Sequence, residues 1–156
     1  MSKIKLLLFV MLTAVLTASL GFAADKDFSA KLSGKDEVPS VKTKAQGKVE
    51  LMLSKDGKEM KFKLIVKNIE NATAAHIHMG KKGENGAPLA VLFAGPKKEG
   101  KFSGSLAEGT LTEKDLMGDL MGTSFEELVK RIKSGSIYVN VHTDANPNGE
   151  IRGQVK

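Results

Sequence analysis

The sequence predicts an all-β domain, a β-sandwich or partly closed barrel, with a short helical insertion near residues 112–134. Three observations predict it. Apolar residues alternate with polar ones from Phe28 onward, the period of a half-buried strand. Clusters of turn formers separate the alternating runs, and strand-like runs resume after the one stretch with helical spacing.

The first 23 residues are set apart. Lys3 and Lys5 precede an apolar run from Leu6 to Leu20, and Gly21-Phe22-Ala23 places small residues at the −3 and −1 positions of a cleavage after Ala23. This is the three-part pattern of a secretory signal peptide, so residues 24–156 are expected to form the mature single domain, secreted or periplasmic. Removing the two leader lysines lowers the net charge from +6 to +4. The remaining lysines alternate with acids rather than forming a basic stripe, which argues against nucleic acid as a partner. The mature part has no second apolar run long enough to span a bilayer. It has no cysteine either, which excludes disulfides, a thiolate nucleophile, Cys-ligated zinc and iron–sulfur clusters.

Element by element, Phe28, Ala30 and Leu32 fall on one side of the first strand, followed by a turn at Gly34-Lys35-Asp36 and an extended edge segment, Glu37-Val38-Pro39. Residues 48–54 direct Val49, Leu51 and Leu53 inward. Asp56-Gly57 supplies hairpin chemistry, and residues 59–67 return with Phe62, Leu64 and Val66 inward. Residues 74–79 and 89–93 are two further strands joined by a glycine-rich loop, and 97–101 reads as a solvated turn. Thr112-Glu113-Lys114-Asp115 predicts a capped helix start with Leu116, Met117, Leu120 and Met121 as its apolar stripe. A second helix from Ser124 carries Phe125, Leu128, Val129 and Ile132 and stops at Gly135. Strands return at 137–141 and 150–155.

The chemistry concentrates in three histidines. In His76-Ile77-His78 both rings leave the same face of a strand. If Val139 and Val141 face the core, Tyr138, Asn140 and His142 share the opposite face, and Glu150, Arg152 and Gln154 occupy the non-core phase of the last strand. Convergence of His76, His78, His142 and Glu150 would make a zinc or copper site without cysteine. The alternative is a structural polar network of His76, His78, Asn140, His142, Glu150 and Arg152, with no cofactor, which rigidifies the fold. Arg152 on the same face disfavours a metal unless carboxylates compensate.

Other chemistries are weaker. Gly80-Lys81-Lys82-Gly83 lacks the order of a phosphate-binding loop, and Ser103, Ser105 and Ser136 lack a nucleophile elbow. Asp144 and Asn146 lack EF-hand spacing, so 143–149 is read as a turn. No catalytic constellation emerges, and Asn71-Ala72-Thr73 is a glycosylation acceptor only in a host that modifies exported proteins.

Four separated segments carry a family resemblance. They are Leu32-Ser33-Gly34 with Glu37-Val38-Pro39; Ala75-His76-Ile77-His78-Met79-Gly80; Gly83-Glu84-Asn85-Gly86-Ala87-Pro88; and Tyr138-Val139-Asn140-Val141-His142-Thr143 with Pro147-Asn148-Gly149-Glu150-Ile151-Arg152-Gly153-Gln154. In this order they resemble the chordin-type (CHRD) domain family from about Phe28 to Val155. Ser40 stands where the family often has a second proline, and 97–101 is unusually lysine-rich.

The resemblance implies an immunoglobulin-like Greek-key sandwich in an exported, non-enzymatic binding or structural module. Its expected partner is an unidentified protein or envelope component. The extracellular signalling role of family members with repeated domains and cysteine-rich modules does not carry over to a single copy without cysteine. The His-Ile-His strand and Gly-Glu-Ile-Arg-Gly segment are also faintly similar to the copper/zinc superoxide dismutase family. That likeness keeps metal binding by His76, His78 and His142 open but implies no dismutase activity, because three histidines cannot supply its two-metal site. The loops 80–88 and 143–149 are the expected recognition loops, with the histidines beneath them.

Overall fold

The computed structural model describes residues 26–156; the expected leader, residues 1–23, lies outside the described residues. The described residues form seven strands in the order β1 (Lys26–Ser33), β2 (Gln46–Leu53), β3 (Glu59–Met79), β4 (Pro88–Phe93), β5 (Lys98–Thr112), β6 (Ile137–Thr143) and β7 (Ile151–Gln154). The single α-helix among the described residues, α1, spans Phe125–Lys133.

The β2–β3 hairpin forms where alternation and turn chemistry agree. Val49 pairs with Leu64 and Leu53 with Met60, all of them buried. Gly57 closes the turn at a φ of 72°, a left-handed conformation that glycine adopts without a Cβ penalty. Ala30 and Leu32 of β1 are buried beside β2, as the alternation predicts.

β3 organises the fold. Its first half pairs with β2 on one edge and β5 on the other; its second half pairs with β6 and β4. Between the halves, Asn68 and Asn71 adopt φ values of 54° and 51°, and the pairing registers shift. Asparagine tolerates this region better than other side-chain-bearing residues. The strands predicted over 59–67 and 74–79 are therefore one bent strand.

The all-β expectation holds, but the pairings do not trace an immunoglobulin-like sandwich of two separate sheets. One sheet runs β2-β1-β7-β6-β3-β4, and the β2–β3 pairing closes it on itself. Closure between β1 and β7 is narrow. It comprises the bridge between Ser33 and Arg152, with reciprocal backbone hydrogen bonds between Ser29 and Lys156 of 2.8 and 2.9 Å. Gly153 lies directly against the Lys31 carbonyl, so a Cβ there would collide with backbone.

Three expectations need correction. The segment 97–101, predicted as a turn, opens the long strand β5. The first predicted helix is two single 3-10 turns, Glu113–Asp115 and Gly118–Leu120. Asp115 does accept from the Thr112 backbone N–H at 2.7 Å and its hydroxyl at 2.8 Å, but Leu116 and Met117 turn to extended backbone, with ψ of 136° and 179°, and end the turn. Glu37-Val38-Pro39 is a bend, and Glu37 is buried rather than at an exposed edge. The second helix forms as predicted, burying Phe125, Leu128, Val129 and Ile132.

Candidate functional site

The register across β3, β6 and β7 assembles the site. His76 lies opposite Asn140, which lies opposite Arg152; His78 lies opposite Tyr138, which lies opposite Gln154. On the other face, Ile77, Val139, Val141 and Ile151 are fully buried and fix which way every neighbour points. β6 is therefore covered on both faces, with Tyr138 and Asn140 buried as well.

The three histidines come together. Each offers a ring nitrogen, and these atoms all lie within 4.8 Å of one another. His76 Nδ1 is 3.0 Å from His142 Nε2. The other nitrogens of two rings are engaged by loop carbonyls: His78 Nδ1 is 2.9 Å from the Gly86 carbonyl and His142 Nδ1 is 3.0 Å from that of Pro147. A carbonyl only accepts, so both Nδ1 atoms carry the proton and both Nε2 atoms present lone pairs. His142 Nε2 accepts from His76 Nδ1–H. His78 is only 8% exposed, and its Nε2 is buried with no hydrogen-bond partner among the described residues.

Burial keeps the rings neutral. It is the largest influence on His76, whose pKa falls from 6.5 to about 4, with further lowering by His142 and then His78. Burial also lowers His78 and His142; the carbonyl contacts partly oppose this, and Arg152 adds to the lowering. Neutral imidazole is the form that ligates metals.

Two loops expected to lie together do so. The loop at 80–88 supplies the Gly86 carbonyl, the loop at 143–149 supplies that of Pro147, and the histidines lie beneath both. Glu150, expected as a fourth ligand, is not in the group. Its carboxylate instead accepts from Thr43 and Thr143, each at 2.7 Å, and from the Asn146 amide at 3.2 Å.

Arg152 is part of a separate layered arrangement. Its guanidinium lies 4.1 Å from the centre of the Tyr138 ring, which stacks on His78 at 4.9 Å and 9°. Nε and Nη2 each lie 2.9 Å from Glu37 Oε2, Nη1 donates to the Glu84 carbonyl, and Nη2 to Asn85 Oδ1. Burial raises the Glu37 pKa despite Arg152 and a hydrogen bond from Asn140 pulling the other way. Arg152 thus ties the loop carrying Gly86 to the sheet, with its charge facing Glu37 rather than a histidine.

The CHRD domain model matches residues 28–155. The chain belongs to the CHRD domain family. It is similar to chordin of Xenopus laevis, with 27% identity over 132 residues, covering 80% of this chain and 12% of chordin. No solved structure matches. In this CHRD domain the family segments are the ones that meet: Glu37, His76 and His78, Gly86, Tyr138 to His142, and Arg152. Sequence reasoning missed Glu37 and the stacking role of Tyr138. Glu37 belongs to a resembling segment, which is the signal that would have found it.

Proposed function

We propose that this CHRD domain is an exported, non-enzymatic binding module whose resident ligand is a transition-metal ion, zinc or copper, held by His76, His78 and His142. The observation that carries the reading is the buried, unpartnered Nε2 of His78, aligned by the Nδ1 contact to Gly86. An unsatisfied buried acceptor costs about 1–3 kcal/mol, a cost that a bound ion would relieve. Metal-bound histidines characteristically donate the second ring N–H to a carbonyl, the arrangement at His78 and His142. The 3.0 Å between His76 Nδ1 and His142 Nε2 is close to the roughly 3.3 Å separating two nitrogens on a tetrahedral ion, which His76 would meet in its other tautomer, with the proton on Nε2. Export rests on the leader pattern of residues 1–23. The exposed loop residues around 81–87 and 144–148 are the surface offered to a protein or envelope partner.

A second reading is favoured by one contact. The His76–His142 hydrogen bond already satisfies two ring nitrogens, as expected of a purely structural network with Asn140, Glu150 and Arg152. Metal content of the untagged protein, compared with a His76→Ala/His78→Ala/His142→Ala variant, separates the two. Near-stoichiometric zinc or copper, lost in a variant that still folds, supports the metal reading. A metal-free parent with no tight binding on titration, and a variant that is only less stable, establishes the network instead.

A further inference from the structure

The charges around the triad discriminate between ions, and we infer that the site prefers monovalent copper to divalent zinc or copper. The inference rests on the metal-binding reading above and adds the ion's identity. The ligand set is three neutral imidazoles: among the described residues no carboxylate joins the group, and the chain has no cysteine. Glu150, the acid that would have supplied a negative charge, is committed to Thr43, Thr143 and Asn146.

The charges beside the site supply no compensating anion. Arg152, Tyr138 and His78 form a stack, with 4.1 Å from guanidinium to phenol ring and 4.9 Å from phenol to imidazole. Glu37 accepts from Arg152 at 2.9 Å, so the pair cancels at best and contributes no net anion.

An ion entering this site exchanges its hydration for nitrogen donors in a partly buried setting. The desolvation penalty grows with the square of the charge, so a divalent ion bears about four times that of a monovalent one. Anionic ligands ordinarily offset the difference, and this site has none. Donor number points the same way. Three imidazoles can complete a trigonal shell for copper(I), whereas zinc on the same three donors must keep a water in its fourth position, and imidazole suits copper as well as zinc.

The test is a set of competition titrations on the untagged protein: copper(I) under anaerobic reducing conditions against a chromophoric chelator, then copper(II) and zinc(II) in air. Copper(I) is expected to bind about a hundredfold or more tighter than zinc(II), its X-ray absorption fitted by three nitrogen donors. A Glu37→Gln variant leaves Arg152 uncompensated. A unit charge roughly 10 Å away, at an effective dielectric of about 20, changes affinity about tenfold per unit of ionic charge. The variant should therefore widen the copper(I)-to-zinc(II) ratio about tenfold.

Zinc(II) or copper(II) binding at the triad as tightly as copper(I) overturns the inference and leaves the metal reading standing. An unchanged ratio in folded Glu37→Gln removes the electrostatic basis and overturns it too. No binding of any ion overturns the metal reading and the inference together. If Glu37→Gln does not fold, the parent titrations decide alone.

Discussion

Acid should weaken this domain through its histidines, well before its carboxylates are protonated. In the folded chain His76 stays neutral down to about pH 4, while an unfolded chain takes up that proton near 6.5. Below about 6.5 the unfolded state therefore binds more protons, and stability falls as the pH falls. The contribution is fully present above the unfolded value and is lost progressively as the pH drops through the folded one. Lowering one imidazole from 6.5 to about 4 corresponds to at most about 3 kcal/mol. His76 is only half-buried, so solvent screening reduces this to about 1–2 kcal/mol. His78 and His142 are lowered too and add in the same direction. Glu37 opposes them, because a raised carboxyl pKa favours the folded state as pH falls. The informative quantity is therefore the difference between the parent and His76→Gln, measured by urea denaturation from about pH 7.5 to about pH 4 without metal. The parent should lose about 1–2 kcal/mol more than the variant over that range. Parallel pH profiles would refute the claim that the folded chain holds His76 neutral.

Four further outcomes follow from the same contacts. Gly153→Ala drives a Cβ into the Lys31 carbonyl at the β1–β7 closure and should cost about 2–3 kcal/mol or more, read as a lowered thermal midpoint. Ile77→Ala opens a cavity on the face opposite the histidines; chemical denaturation should show a loss of about 2–5 kcal/mol, with metal stoichiometry unchanged. Glu150→Gln should destabilise by about 1–3 kcal/mol through its three donors, again with no change in bound metal. Protein recovered from an exporting host should begin at Ala24 by intact mass, and retention of residues 1–23 would contradict the cleavage site.

Legibility in the sequence tracked how locally each feature is determined. The β2–β3 hairpin was readable because strict alternation and Asp56-Gly57 specify the same register. β5 was not. Its glycines at 100, 104 and 109, its register shifts and its few buried residues leave no period of its own, and it forms by pairing along β3. The continuity of β3 was hidden because the two asparagines that bend it look like the end of a strand. In the site, period two was enough to put His76 and His78 on one face and His142 on the matching face of β6. Nothing local connects Glu37 to Arg152, which are 115 residues apart and meet only when the sheet closes.

The same packing that closes the sheet aims the rings. A one-residue slip of β6 against β3 would bring Val139 and Val141 to the histidine face and bury Tyr138, Asn140 and His142 in the core. Four fully buried apolar side chains on the opposite face oppose that slip, so register and ring convergence are one property. Such a scaffold can hold a buried imidazole nitrogen unpaired at about 1–3 kcal/mol, a cost a flexible loop would relieve by rotating the ring into water. The loops contribute differently: the Gly86 and Pro147 carbonyls select the tautomers that put the lone pairs on Nε2, unpaired at His78 and accepting from His76 at His142. An ion bound by those lone pairs would stabilise only the folded chain, and the gain would rise with ion concentration over the dissociation constant. A metal-dependent rise in thermal midpoint in the parent, absent in His78→Ala, is therefore the expected thermodynamic signature of a site made by register rather than by local sequence.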